Sequence, residues 1–398
     1  MALIDLWRDS RPQISNKHVQ QIVAIAGDGK LGDGNISSGE FRTFLTQIPS
    51  EILVRYTTEC LANSFTNSGL VLQDAVNEMG TRLGFKVTPG RYRGVVGQLG
   101  FDGLWTSADG HSIVVEVKTT TDFRIDLNTI ASYRRGLIKA GTISEENSSV
   151  LIVVGRDDTE DLEAQIRGSR HAWDVRLIST EALVSLLAVK EEVEDPQIQT
   201  RIHAVLRPRE FTRLDDIVEL LFSTAEDIKQ EQVVADEISE ADDDDHEQDA
   251  DTERKPKFIP VAFHDACIRR IEKVLDTTLL KRSRATFAAA DRDLRLICAV
   301  SREHVRGGTS YWFAFHPHQA EYLSESSDSY VAFGCGSERQ LLLIRYTEFE
   351  PWLQGMNETT TKRGTYKHVS IFRVNNRFEL VRRQGLPRIE LTSYLVKE

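Results

Sequence analysis

Apolar residues recur every three to four positions in GLVLQDAVNEMGTRLGF, which puts Leu72, Val76, Met79 and Leu83 on one face of a helix. The period then shortens toward two, and strand-like pieces follow around 85–88, 98–105 and 111–119. A helix that starts with Asp126 as its N-cap, DLNTIASYRRGLIKAG, leads into the apolar strand SVLIVVG. A helix in DTEDLEAQIRGS, a strand in DVRLIS and a helix in STEALVSLLAVKEE complete the series. One helix, a three-strand meander and then alternating helix and strand predict an α/β fold with a mixed central sheet flanked by helices.

Residues 1–68 read as mainly helical, a lid or a dimerisation element. Their stretch GDGKLGDGN lacks the Gly-Lys-Ser/Thr ending of a P-loop and the twelfth-position Glu of an EF-hand, so it reads as a glycine-rich turn. From 257 to 398, the helix DACIRRIEKVLDTTL and the pieces LRLICAVS, SYWFAFHP, SYVAFGC, QLLLIRY, VSIFRV and FELVRR predict an α+β domain around an antiparallel sheet. There Tyr311, Phe313 and Phe315 alternate as one packed strand face. The competing reading takes YWFAFHPH with the basic stretches LLKRSR and TTTKRGTYKH as a nucleic-acid surface.

Composition alters this picture in three places. At 398 residues, 40 % apolar and 28 % charged, the chain has the make-up of a soluble protein of two or three domains. No apolar run approaches the roughly 20 residues that span a bilayer, and the N-terminus lacks a signal-peptide layout, which predicts a cytoplasmic protein without membrane contact. Cys60, Cys267, Cys298 and Cys335 lie far apart without ligand spacing and read as buried thiols.

The net charge of −12 is concentrated in residues 236–253, which hold eleven acids and no Lys or Arg, leaving 50 acids against 49 bases elsewhere. Such a run cannot bury enough apolar surface to order itself, so 229–256 reads as an acidic linker. The expected organisation is a helical segment 1–68, a catalytic domain 69–228, the linker, and a recognition or regulatory domain 257–398.

Candidate chemistry sits in GQLGFDGLWTSADGHSIVVEVKTT. Alternation puts Ile113, Val115 and Val117 on one strand face and Val114, Glu116 and Lys118 on the other. Asp109-Gly110 is a hairpin turn that folds Asp102 back onto the Glu116 face. Two carboxylates and an ammonium in one place are costly to bury without a use, and such oxygen ligands suit Mg²⁺.

Asp102 followed by Glu116-Val117-Lys118 resembles the signature of the PD-(D/E)XK nuclease superfamily, in its Mrr-like and resolvase-like branch, with FDG in place of the nominal Pro-Asp. The resemblance covers about 69–180. It implies a restriction endonuclease-like core, Mg²⁺-dependent endonuclease hydrolysis of DNA (with Mn²⁺ able to substitute), and a part in restriction, phage defence or repair. It also implies that Asp102, Glu116 and the Val117 carbonyl hold the metal, that Lys118 acts on water or phosphate, and that a homodimer cuts both strands.

For the helix acid of that family, counting back from Gly84-Phe85 lands on Gln73, with Glu78 second; Asp74 is read as facing solvent. Phosphate contacts fall to Arg134 and Arg135, and to Arg167 and Arg170, where Trp173 is either a core residue or part of the surface. Two alternatives stay open: a degenerate core that only binds nucleic acid, and a nuclease for RNA or branched DNA.

Overall fold

The computed structural model describes residues 2–63, 65–92, 99–119, 126–155, 160–193, 195, 197–208, 263–304, 309–361, 364–383 and 385–397. The acidic linker lies outside the described residues. The chain is mixed α/β, and its contacts divide it into two compact units, Met1–Thr224 and Ala225–Glu398.

In the first unit, five helices, α1 (Leu3–Asp9), α2 (Arg11–Ser15), α3 (Val19–Ile25), α4 (Ile36–Gln47) and α5 (Ser50–Ala62), precede the long α6 (Ser68–Arg82). These early helices are no detachable lid, because Trp7, Phe44, Tyr56 and Met79 belong to one apolar core with Val115 and Val153 of the sheet. The glycine-rich turn is structural as read. Gly27, Gly29 and Gly34 take positive φ, and Asp28 Oδ1 accepts from Ser37 Oγ at 2.7 Å.

The central sheet has the order β1 (Lys86–Pro89), β2 (Gly103–Thr106), β3 (Ser112–Lys118), β4 (Ser148–Val154), β5 (Val175–Ser179). Strands β1 to β3 are antiparallel, while β3, β4 and β5 are parallel. The hairpin forms where the sequence placed it, with Gly110 at φ +88°. α7 (Leu127–Lys139) crosses from β3 to β4, and Asp126 caps it by accepting from the backbone N–H of Asn128 and Thr129 at 3.0 and 3.1 Å. α8 (Glu160–Arg167), α9 (Thr180–Glu192) and α10 (Ile198–Leu206) follow among the described residues.

One face of β3 packs Ile113 and Val115 with α6, and the other packs Val114 beside Ile130 of α7. Because α4, α5 and α9 also pack on α6, nearly the whole helix is buried. Asp74 is therefore not on a solvent face but buried, receiving Arg42 Nε at 2.8 Å and the Tyr92 hydroxyl.

Among the described residues the second unit begins with α11 (His264–Leu275) and contains two five-stranded sheets. One has the order β11 (Leu341–Arg345), β10 (Asp328–Cys335), β8 (Leu294–Ser301), β7 (Thr286–Ala289), β6 (Leu279–Lys281). The other joins β9 (Thr309–Phe315), β12 (Glu358–Thr361), β13 (Gly364–Val374), β14 (Arg377–Val381) and β15 (Ile389–Glu390). Only the second sheet is wholly antiparallel. β8 and β10 run parallel, since the chain between them crosses over through β9 and α12 (Pro317–Ser324). All four cysteines are free and buried. Among the described residues no helix is long and apolar enough to cross a membrane.

Candidate functional site

Asp102 sits where β2 leaves β3. Its N–H still donates to Val115 O at 3.0 Å, but the next rung is made by the side chain, with Val117 N–H donating to Asp102 Oδ2 at 2.7 Å. The carboxylate thus replaces a strand carbonyl at the point where the ladder opens. The Asp102 carbonyl is held from the other side by Gly90 N–H at 2.9 Å, Gln73 Nε2 at 3.0 Å and Asn77 Nδ2 at 2.9 Å. Gly103 is required here, because a Cβ at that position would stand 2.1 Å from Asn77 Oδ1.

Glu116 is buried near the end of β3, and one oxygen, Oε1, accepts from Lys118 Nζ at 2.7 Å. Its other oxygen, Oε2, is buried without a hydrogen-bond partner. Burial, then the charge of Glu116, raises Asp102 to about 7, against the opposing pull of Val117 N–H and Lys118. Glu116 is raised as well, by burial, with Lys118 opposing. Lys118 itself loses by burial but gains more from Glu116 and Asp102, so its pKa rises and it stays an ammonium. Tyr133 on α7 senses the same three charges; burial and the Glu116 carboxylate raise its phenol.

The structure therefore brings Asp102, Glu116, Val117 and Lys118 together and leaves the other sequence candidates around or away from them. Gln73 touches the Asp102 main chain rather than its carboxylate, and acts as a support. Glu78 pairs with Arg82 Nε at 2.9 Å, and Arg82 also donates to Leu45 O and Ile48 O at 2.8 Å, which makes Glu78 part of the packing between α4, α5 and α6. Arg134 is buried, bound to Ser148 Oγ at 2.9 Å, Glu145 O at 2.6 Å and Asp174 at 3.2 Å, and is not available to a phosphate. Arg135 is exposed, Arg167 is exposed and paired with Glu163, and Arg170 donates to Asn128 Oδ1 at 3.1 Å. Trp173 is 70 % exposed, which overturns its reading as a core residue.

Asn77 escaped the sequence reading. The available signal was its spacing, one helical turn after Gln73 on the same face. Its Oδ1 also accepts from Trp105 Nε1 at 2.9 Å, so it fixes both strand and helix.

An orphaned carboxylate oxygen beside a second destabilised carboxylate fits a divalent cation, which would relieve both. The Val117 carbonyl lies on the Asp102 edge of β3, because the N–H and C=O of one strand residue point the same way. Among the described residues no group of three or more His, Cys, Asp and Glu side chains forms a cation site. Two carboxylates and one carbonyl would leave the remaining ligand positions to water and substrate, as suits Mg²⁺. The chain matches no protein-family model and no curated protein.

These shifts have a sign that can be tested without metal. The folded state holds a proton on Asp102 up to about pH 7, whereas the unfolded chain releases it near 4. Between those values folding takes up a proton, so this carboxylate lowers stability as pH rises. In EDTA, Asp102→Asn, whose amide oxygen still accepts from Val117, should gain stability over the wild type on going from pH 5 to pH 8, by roughly 1–3 kcal/mol. Urea denaturation at the two pH values measures this, and an unchanged difference would contradict the assignment.

Proposed function

We propose that the first unit is a divalent-cation-dependent nuclease that hydrolyses DNA phosphodiester bonds. The observation that carries the reading is the buried Glu116 Oε2 without a partner, beside Asp102 and on a carboxylate already tied to Lys118. Asp102, Glu116 and the Val117 carbonyl would hold Mg²⁺. When bound, the ion would supply positive charge at the phosphoryl oxygen and lower the pKa of a water. Lys118, kept protonated by Glu116, cannot serve as a general base; it orients the attacking water and neutralises charge gathering on the phosphate. Hydrolysis forms the bond from water oxygen to phosphorus as the bond to the leaving deoxyribose oxygen breaks; the water's proton passes to solvent and the leaving oxygen takes one from solvent. The exposed Arg135 and Arg170 are the remaining candidates for the substrate backbone. A homodimer would set two such sites against the two strands of a duplex.

If Lys118 works by charge, Lys118→Arg keeps more activity than Lys118→Met. Expected losses are about 10-fold for Arg and 10²-fold or more for Met, read as single-turnover cleavage rates. Equal rates for the two variants would remove the charge role. The reading as a whole is tested by incubating the full chain with plasmid, linear duplex, single-stranded DNA and RNA in Mg²⁺ or EDTA. Cleavage of DNA in Mg²⁺ alone is expected. Inertness toward every substrate with Mg²⁺ and with Mn²⁺ would overturn it, and cleavage of RNA only would change the substrate.

A further inference from the structure

The second unit carries a field of rings on the outer face of its antiparallel sheet. β13 is paired along one edge by β12 and β14 and along the other by β9. Alternation sends Tyr311, Phe313, Phe315, Val369 and Ile371 into the core, where all are buried. It leaves Trp312, Tyr366, His368 and Phe372 on the opposite face, each partly exposed.

Three of these rings, Trp312, Tyr366 and His368, form one connected row with His316. His316 meets Tyr366 with centroids 5.6 Å apart, Tyr366 stacks on His368 at 5.3 Å, and His368 meets Trp312 edge to face at 5.5 Å. Across the pair with β9, His368 faces Ala314, Trp312 faces Ser370 and Phe372 faces Ser310, while on the β14 side Phe372 faces Glu379.

The row is fixed in place and aromatic rather than charged. Trp312 Nε1 donates to His368 Nδ1 at 3.1 Å, and an indole N–H can only donate, so Nδ1 carries no proton. Nε2 then holds the ring's one hydrogen and gives it to Thr359 Oγ1 at 2.7 Å. His368 is thus a neutral flat ring with both nitrogens engaged, which is a platform and not an acid, a base or a metal ligand. One exposed cation, Arg377, stands at the other end of the face, opposite Val374. Beside it the Arg388 guanidinium lies 5.5 Å from the Phe372 ring centre and donates to Glu379 at 3.0 Å.

We propose that this face binds single-stranded nucleic acid, with unpaired bases stacking on Trp312, Tyr366 and Phe372 and phosphates near Arg377. The Trp312 and Tyr366 ring centres lie 6.2 Å apart, wider than the roughly 3.4 Å rise of a stacked strand. Bases that follow them must be spread, as only a single strand allows. Stacking needs no base-specific contacts, so the binding is tolerant of sequence.

The test is fluorescence anisotropy of a labelled twelve-nucleotide oligo-dT with the full chain in EDTA, where no metal-dependent cleavage can intervene. Trp312→Ala and Tyr366→Ala should each weaken binding about 10-fold or more, whereas Trp312→Phe, which keeps a ring, stays within a few-fold of wild type. Melting curves of each variant separate lost binding from lost fold. A duplex of equal length should be insensitive to both alanine changes. Wild-type protein that fails to bind oligo-dT, or folded alanine variants that bind it unchanged, would overturn the proposal. Binding is read in EDTA and cleavage in Mg²⁺, so the nuclease reading and this one fail separately.

Discussion

Asp102→Asn and Glu116→Gln are each expected to reduce Mg²⁺-dependent cleavage by about 10³-fold or more while the chain stays folded. The amide variants are the informative ones. Asn at 102 still accepts from Val117 N–H, and Gln at 116 still offers an oxygen to Lys118, so local hydrogen bonding survives while negative charge is lost. Electrostatic contributions of this kind, placed where charge develops, commonly cost 10²–10³ in rate when removed, and loss of the ion itself costs more. Single-turnover cleavage with circular dichroism on the same samples reads both halves. Retained cleavage in either variant would show that the carboxylate serves the strand end and not the reaction.

The largest stability effect is expected at Arg82, not at the site. Its guanidinium joins Glu78, Ser50 Oγ, Leu45 O and Ile48 O inside the helical layer. Arg82→Met removes the charge partner of a buried carboxylate and leaves two carbonyls short of donors, a loss of about 3–5 kcal/mol. For a unit of this size that is a drop in melting temperature of about 10 °C. At a temperature where both proteins are folded, Arg82→Met should cleave at close to the wild-type rate. A selective loss of cleavage with little loss of stability would return Glu78 to the site.

Much of the first unit was legible because its signals were local. The two-residue period from 111 to 119, the Asp109-Gly110 turn and the Asp126 cap each depend on neighbours in sequence, and together they placed Asp102 against Glu116. What escaped depended on a second layer of packing. A helix with one apolar face predicts a wet opposite face, but α4 and α5 cover α6, so Asp74 and Glu78 became buried ion-pair partners. Arg134 looked like a surface cation until the turn at 144–148 closed over it. Trp173 failed in the other direction, since a large aromatic is usually core and this one is exposed. In the second unit, alternation identified the packed face of β9 and composition raised a nucleic-acid surface, but which rings share the opposite face follows only from pairing with β13, more than 50 residues away.

The central claim is that Asp102 and Glu116 form a divalent-cation site. Its most direct test is Mn²⁺ binding, followed by the loss of the free-ion electron paramagnetic resonance signal as the metal is titrated against the wild type, Asp102→Asn and Glu116→Gln at pH 8. The expected result is at least one bound Mn²⁺ per wild-type chain that Mg²⁺ displaces, and one fewer in each variant. The same number of ions bound with the same affinity in all three proteins would contradict the account.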